Sequence, residues 1–115
     1  MVEIRDIKAA ARKIAQAFGP ERIILFGSYA YRKPSEDSDV DFLVLVKGNR
    51  VHDDALKIRL AVDFDFPVDI LVRSPNEFER RIEMGDCFLR EIRDKGRILY
   101  EAPCRTNRTQ IAIKV

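Results

Sequence analysis

Apolar residues Ile4, Ile7, Ala11, Ile14 and Phe18 recur every three or four positions, with Arg5, Lys8, Arg12 and Lys13 mostly between them. That spacing predicts an amphipathic helix over residues 3–18. Gly19-Pro20 ends it, because glycine accepts a left-handed cap and proline cannot continue the helix. The period then changes. Arg22-Ile23-Ile24-Leu25-Phe26 is a continuous apolar run, the pattern of a short strand covered on both faces. After Gly27-Ser28, residues 29–32 suit a short helix and residues 33–38 a polar loop. A second strand is expected over Asp39–Val46, closed by Lys47-Gly48-Asn49.

Helical spacing returns over residues 50–62, where Val51, Ala55, Ile58 and Val62 share a face. Pro67 biases Phe66 towards an extended conformation and so separates this helix from a third strand, Val68–Val72. Ser74-Pro75-Asn76-Glu77 is a capping box with proline at the first helical position, which predicts a helix running to about Met84. Gly85-Asp86 resets the chain for a helix over 86–95 that buries Phe88, Leu89 and Ile92, capped by Gly96. Arg97-Ile98-Leu99-Tyr100 reads as the last strand. The order suits an α+β (two-layer α/β) fold, a small mixed sheet with helices packed on one face.

A chain of 115 residues, 46% apolar and 35% charged, has the composition of one globular domain. Residues 1–101 form that domain, and residues 102–115 a tail with weak strand character over Thr109–Val115 that is either frayed or an edge strand for another chain. No run reaches the ~18–20 apolar residues that span a bilayer, and the N-terminus has no signal-peptide pattern, so the cytoplasm is expected. Cys87 and Cys104 are too few for a disulfide framework, and the lone His52 has no ligand-like neighbour, so no zinc site is expected. The net charge of +2 conceals an asymmetry: Arg105, Arg108 and Lys114 lie beyond Glu101, which leaves residues 1–101 at −1. A near-neutral body argues against broad nucleic-acid binding.

Against this background one stretch stands out. Asp39 and Asp41 sit two apart at the start of an apolar strand, so they project from the same face ~6.6 Å apart. Asp69, near the start of the third strand, would come alongside if the strands were neighbours. Carboxylates held this close repel one another unless positive charge is supplied. Oxygen-only ligands favour Mg²⁺ or Mn²⁺, and two such ions about 3.5–4 Å apart would serve an in-line displacement. Gly27-Ser28, ahead of the acids, is a turn whose backbone can approach a phosphate. Arg32 and Lys33 behind it are candidates to neutralise phosphate charge. Taken singly, each feature also fits solvated or loop-capping side chains.

Gly27-Ser28, ten residues, then Asp39-Val40-Asp41 resembles the Gly-Ser-x10-Asp-x-Asp signature of the minimal nucleotidyltransferases of the DNA polymerase beta superfamily. The resemblance covers about residues 1–101. It implies the polymerase beta-like nucleotidyltransferase fold and transfer of a nucleoside monophosphate, usually AMP from ATP, to a hydroxyl with release of diphosphate. By position it implies that Asp39, Asp41 and Asp69 are catalytic and hold the metals. Asp69 would also orient or deprotonate the acceptor, and Gly27, Ser28 and Arg32 would bind the nucleotide.

Many stand-alone members of this family resemble antitoxins encoded beside a HEPN-domain ribonuclease, which they adenylylate, commonly on tyrosine. A protein acceptor, a HEPN-type toxin from the adjacent gene, is therefore expected; a domain this short shows no obvious second lobe for another acceptor. Two alternatives remain: a non-catalytic module that neutralises its partner by contact, and a transferase for a small molecule such as an antibiotic. Tyr29 and Tyr31 suit either packing on the nucleotide or a buried or partner-facing role. The oligomeric state stays open.

Overall fold

Helix α1 (Ile4–Phe18) buries Ile7, Ala10, Ala11 and Ile14, and closes at Gly19, whose φ of 58° lets its N–H bond Ala15 O at 2.9 Å. In the computed structural model, residues 2–31, 33–47 and 51–103 are described, without the side chains of 51–54. Arg32, the side chain of His52, and residues 104–115, including Cys104, lie outside the described residues. The chain continues as β1 (Arg22–Phe26), α2 (Ser28–Tyr31), β2 (Val40–Leu45), α3 (Val51–Ala61), β3 (Val68–Arg73), α4 (Pro75–Glu83), α5 (Cys87–Lys95) and β4 (Arg97–Glu101). The capping box forms as the sequence suggests, with Ser74 Oγ accepting from Glu77 N at 3.1 Å. Asp86 caps α5 in the same way, accepting from Leu89 N at 3.0 Å.

The four strands make one mixed sheet in the order β3-β2-β1-β4. β1 runs antiparallel to both β2 and β4, while β2 and β3 are parallel. Parallel neighbours need a crossover, and α3 supplies it. The α+β class and the mixed sheet agree with the sequence-based expectation.

The placement of the helices does not. They cover both faces of the sheet rather than one. Ile23, Leu25, Val40, Phe42, Val44, Ile70 and Val72 pack with residues of α1 and α3, among them Ile14 and Ile58. The alternate residues Ile24, Phe26, Leu43 and Leu45 pack instead under Phe78, Ile82, Leu89 and Ile92 of α4 and α5. Strand side chains alternate between faces, so unbroken apolar runs in β1 and β2 require cover on each side. The two central strands are accordingly buried almost throughout, Arg22 and Asp41 being their half-buried residues.

Candidate active site

Alternation decides where the acids go. Asp41 lies two residues before Leu43 and four before Leu45, so it continues the face that α4 and α5 cover. Those helices cover Leu43 and Leu45 but not the N-terminal end of β2. Asp41 is therefore half-buried, and Asp39, just ahead of the strand rather than within it, is exposed. The same face of β3 carries Leu71 and, two residues earlier, the exposed Asp69. In the parallel register Asp41 stands directly opposite Asp69, and in the antiparallel register it stands opposite Phe26. The fold thus aligns two of the three acids on adjacent strands, with the third two residues upstream.

Gly27 follows Phe26 and brings the Gly27-Ser28 turn against the same carboxylate. Its φ is 75°, a left-handed value, and a Cβ built there would overlap Asp41 Oδ2. Two separate constraints therefore require glycine at this position. The carbonyl of Gly27 accepts from Ala30 N at 3.0 Å and from Tyr31 N at 3.1 Å, which sets the single turn of α2 that opens with Ser28. Gly27, Asp41 and Asp69 share one end of the sheet. Lys33 is described and exposed, whereas Arg32 is not described.

The electrostatics are those of crowded negative charge. Burial pushes the Asp41 carboxyl up to about 6, and the charges of Asp69 and then Asp39 add to the shift. Among the described residues, no three His, Cys, Asp or Glu side chains are gathered tightly enough to hold a metal ion as they stand. Their chemistry nonetheless fits a hard divalent cation, since all are carboxylate oxygens and Asp41 is short of positive charge.

Sequence reasoning did not single out Arg59. This residue on α3 places Nη2 3.6 Å from Asp69 Oδ1 and donates to Val68 O at 3.0 Å. Its helix packs on the opposite face, so the side chain reaches round the edge strand β3, a contact that no local spacing announces. Arg59 and Asp39 also line a shallow cleft of about 450 Å³ with Phe64, Phe66 and Val68. Tyr29 is drawn away from a nucleotide role: its hydroxyl accepts from Val2 N at 3.1 Å, and its ring packs against the α1–α3 core. Tyr31 packs against the other core.

Comparison with known proteins bears on this geometry. The family model described as "Nucleotidyltransferase domain" matches residues 5–100. Two curated proteins of Methanocaldococcus jannaschii are similar over much of their length. "Putative protein adenylyltransferase MJ0604" is 31% identical over 80 residues, covering 70% of this chain and 78% of its own. "Putative protein adenylyltransferase MJ0141" is 38% identical over 77 residues, covering 66% and 75%. Among solved structures, one titled as a putative nucleotidyltransferase from Sulfolobus solfataricus superposes with a TM-score of 0.53 at 26% identity. That superposition covers 66% of this chain and 70% of the other.

Proposed function

Because the chain belongs to the nucleotidyltransferase domain family, we propose that it is a protein adenylyltransferase that moves AMP from ATP to a hydroxyl of a partner protein. The observation that carries this reading is the register of Asp41 opposite Asp69, with Gly27 closed against Asp41. In the transfer, the acceptor oxygen bonds to the α-phosphorus as the bond from that phosphorus to the β-phosphate bridging oxygen breaks. Diphosphate leaves, and the hydroxyl proton passes to Asp69 or to water. Asp39, Asp41 and Asp69 are assigned to hold Mg²⁺ or Mn²⁺, and a bound cation would supply the positive charge that offsets the triphosphate. Gly27 and Ser28 are assigned to the triphosphate, where backbone can approach closely. Arg32 remains a candidate for the same role from its position in the sequence.

The acceptor we assign is a tyrosine hydroxyl of a HEPN-type toxin encoded by the adjacent gene, so that the transfer makes this chain an antitoxin. The names of the two relatives support a protein acceptor, as does the near-neutral charge of residues 1–101. The test is incubation with Mg²⁺, ATP labelled on the α-phosphate and the adjacent gene's product. Label on that product is expected. Label from the γ-phosphate instead of the α-phosphate overturns nucleotidyl transfer.

A second reading, a non-catalytic module that blocks its partner by contact, is favoured by the pairing of Asp69 with Arg59, which gives that acid a positive partner from the chain itself. Under that reading Asp39→Asn leaves partner neutralisation intact. Under the first, the variant loses label transfer and neutralisation together.

A further inference from the structure

We infer that Arg59 is a positioning residue that competes with the divalent cation for Asp69, so that loading the site with metal requires drawing the carboxylate away from a guanidinium already in place. The inference rests on the metal-dependent reading above and adds a residue to it. Arg59 is held from two directions. Ile58 is fully buried in the α1–α3 core beside it, which fixes the last turns of α3 against the sheet. Its Nη2 donates to the carbonyl of Val68, the first residue of β3, at 3.0 Å. That bond is independent of Asp69 and keeps the guanidinium at the sheet edge whichever way the carboxylate turns. From there Nη2 lies 3.6 Å from Asp69 Oδ1.

The consequence follows from charge and geometry. Asp41 and Asp69 face each other across adjacent strands. Without a cation, Arg59 is, among the described residues, a positive group paired with Asp69. A cation shared by Asp41 and Asp69 must draw Asp69 towards β2 and away from the β3 edge, where Arg59 is anchored. Metal affinity is then set by the three acids less the strength of one exposed ion pair. Such pairs are weak, so the competition is a modest one that a bound triphosphate readily overcomes.

The test is Mn²⁺ binding to the intact chain, followed by electron paramagnetic resonance of free Mn²⁺ at low ionic strength, with and without ATP. Arg59→Gln should bind Mn²⁺ about two- to fivefold more tightly than the unaltered chain, the range expected for loss of an exposed pair. Arg59→Lys should fall between them. In an Asp69→Asn background, Arg59→Gln should change nothing, because the carboxylate in dispute is gone. Equal or weaker binding by Arg59→Gln overturns the inference. So does the same tightening in the Asp69→Asn background, which would make Arg59 a distant source of positive potential. Failure of the unaltered chain and Arg59→Gln alike to take up Mn²⁺, even with ATP, overturns the metal site itself. That result is distinct from equal, measurable binding.

Discussion

The two ends of one sheet face differ sharply. At one end Leu43, Leu45 and Ile24 lie under Phe78, Ile82, Leu89 and Ile92. At the other, two residues along the same strands, Asp41 and Asp69 face one another, the first half-buried and the second exposed. The backbone register is continuous across the boundary, since Asp41↔Asp69 and Leu43↔Leu71 are rungs of one parallel ladder. The covered end fixes the strands, and the open end inherits their alignment. Carboxylates that repel one another are thus held by packing located elsewhere, a division of labour that separate substitutions should expose.

The largest effect on folding belongs to the covered end. Phe78 is fully buried. Phe78→Ala should lower stability by about 3–5 kcal/mol, read as a fall in the midpoint of denaturant unfolding. At a temperature where the variant is still folded, its Mn²⁺ affinity should stay near that of the unaltered chain. A parallel loss of affinity would mean that the two ends are not separable. The reverse case is Asp41→Asn, which removes charge from the open end without creating a cavity. It should reduce transfer at least about a hundredfold, since even groups that only support metal ligands cost ~10–100-fold when changed. Its unfolding midpoint should not fall. Transfer at the unaltered rate would place the chemistry elsewhere in the molecule.

Gly27→Ala tests the junction between the ends. The left-handed φ of 75° costs an alanine about 1–2 kcal/mol, and its methyl must also displace the Asp41 carboxylate. A drop in stability of that order should accompany a loss of transfer larger than the same destabilisation produces at Ile82, which touches only the covered end. Equal transfer losses at matched stability would show that the closeness of Gly27 to Asp41 has no chemical use.

Much of this architecture was legible in the sequence because its elements are marked by changes of hydrophobic period and by Gly or Pro. Helix α1 and the capped starts of α4 and α5 fall within a residue or two of expectation. The Asp39–Asp41 spacing suggested a shared face, whereas Asp39 lies just ahead of β2 and lines a cleft with Phe64 and Phe66. Two things were harder to see. Helices on one face were expected although Arg22–Phe26 already read as a strand covered on both sides; the run showed that cover was needed, but not which helices would give it. The Arg59–Asp69 contact was hidden for a physical reason. It joins a helix on one face to a strand residue on the other across a sheet edge, and such contacts exist only once the strand order is known. The facing of Asp41 and Asp69 depended on that order too, and was expected only on the condition that their strands were neighbours.

The smallest effect is in pH dependence, and it isolates the open end from everything else. In the folded chain the Asp41 carboxyl is pushed up to about 6 by burial and by Asp69 and Asp39, against 3.8 for an unperturbed aspartate. The folded state therefore holds this proton more tightly than the unfolded state does. Ionised Asp41 opposes folding above about pH 6; that opposition fades as pH falls through 6 and is gone below 3.8. The metal-free chain should accordingly gain thermal stability relative to Asp41→Asn as pH is lowered from 8 to 5, with the difference between their melting temperatures as the readout. Taking the difference removes the acid destabilisation that other carboxylates share. The gain should be on the order of 1 kcal/mol or less, because the side chain is only half-buried and water screens the repulsion. Saturating Mn²⁺ should flatten or invert the slope, since the cation favours the ionised form. A pH-independent difference in metal-free protein would mean that neither burial nor the neighbouring acids raises the Asp41 carboxyl, and the crowding of negative charge at the open end would not stand.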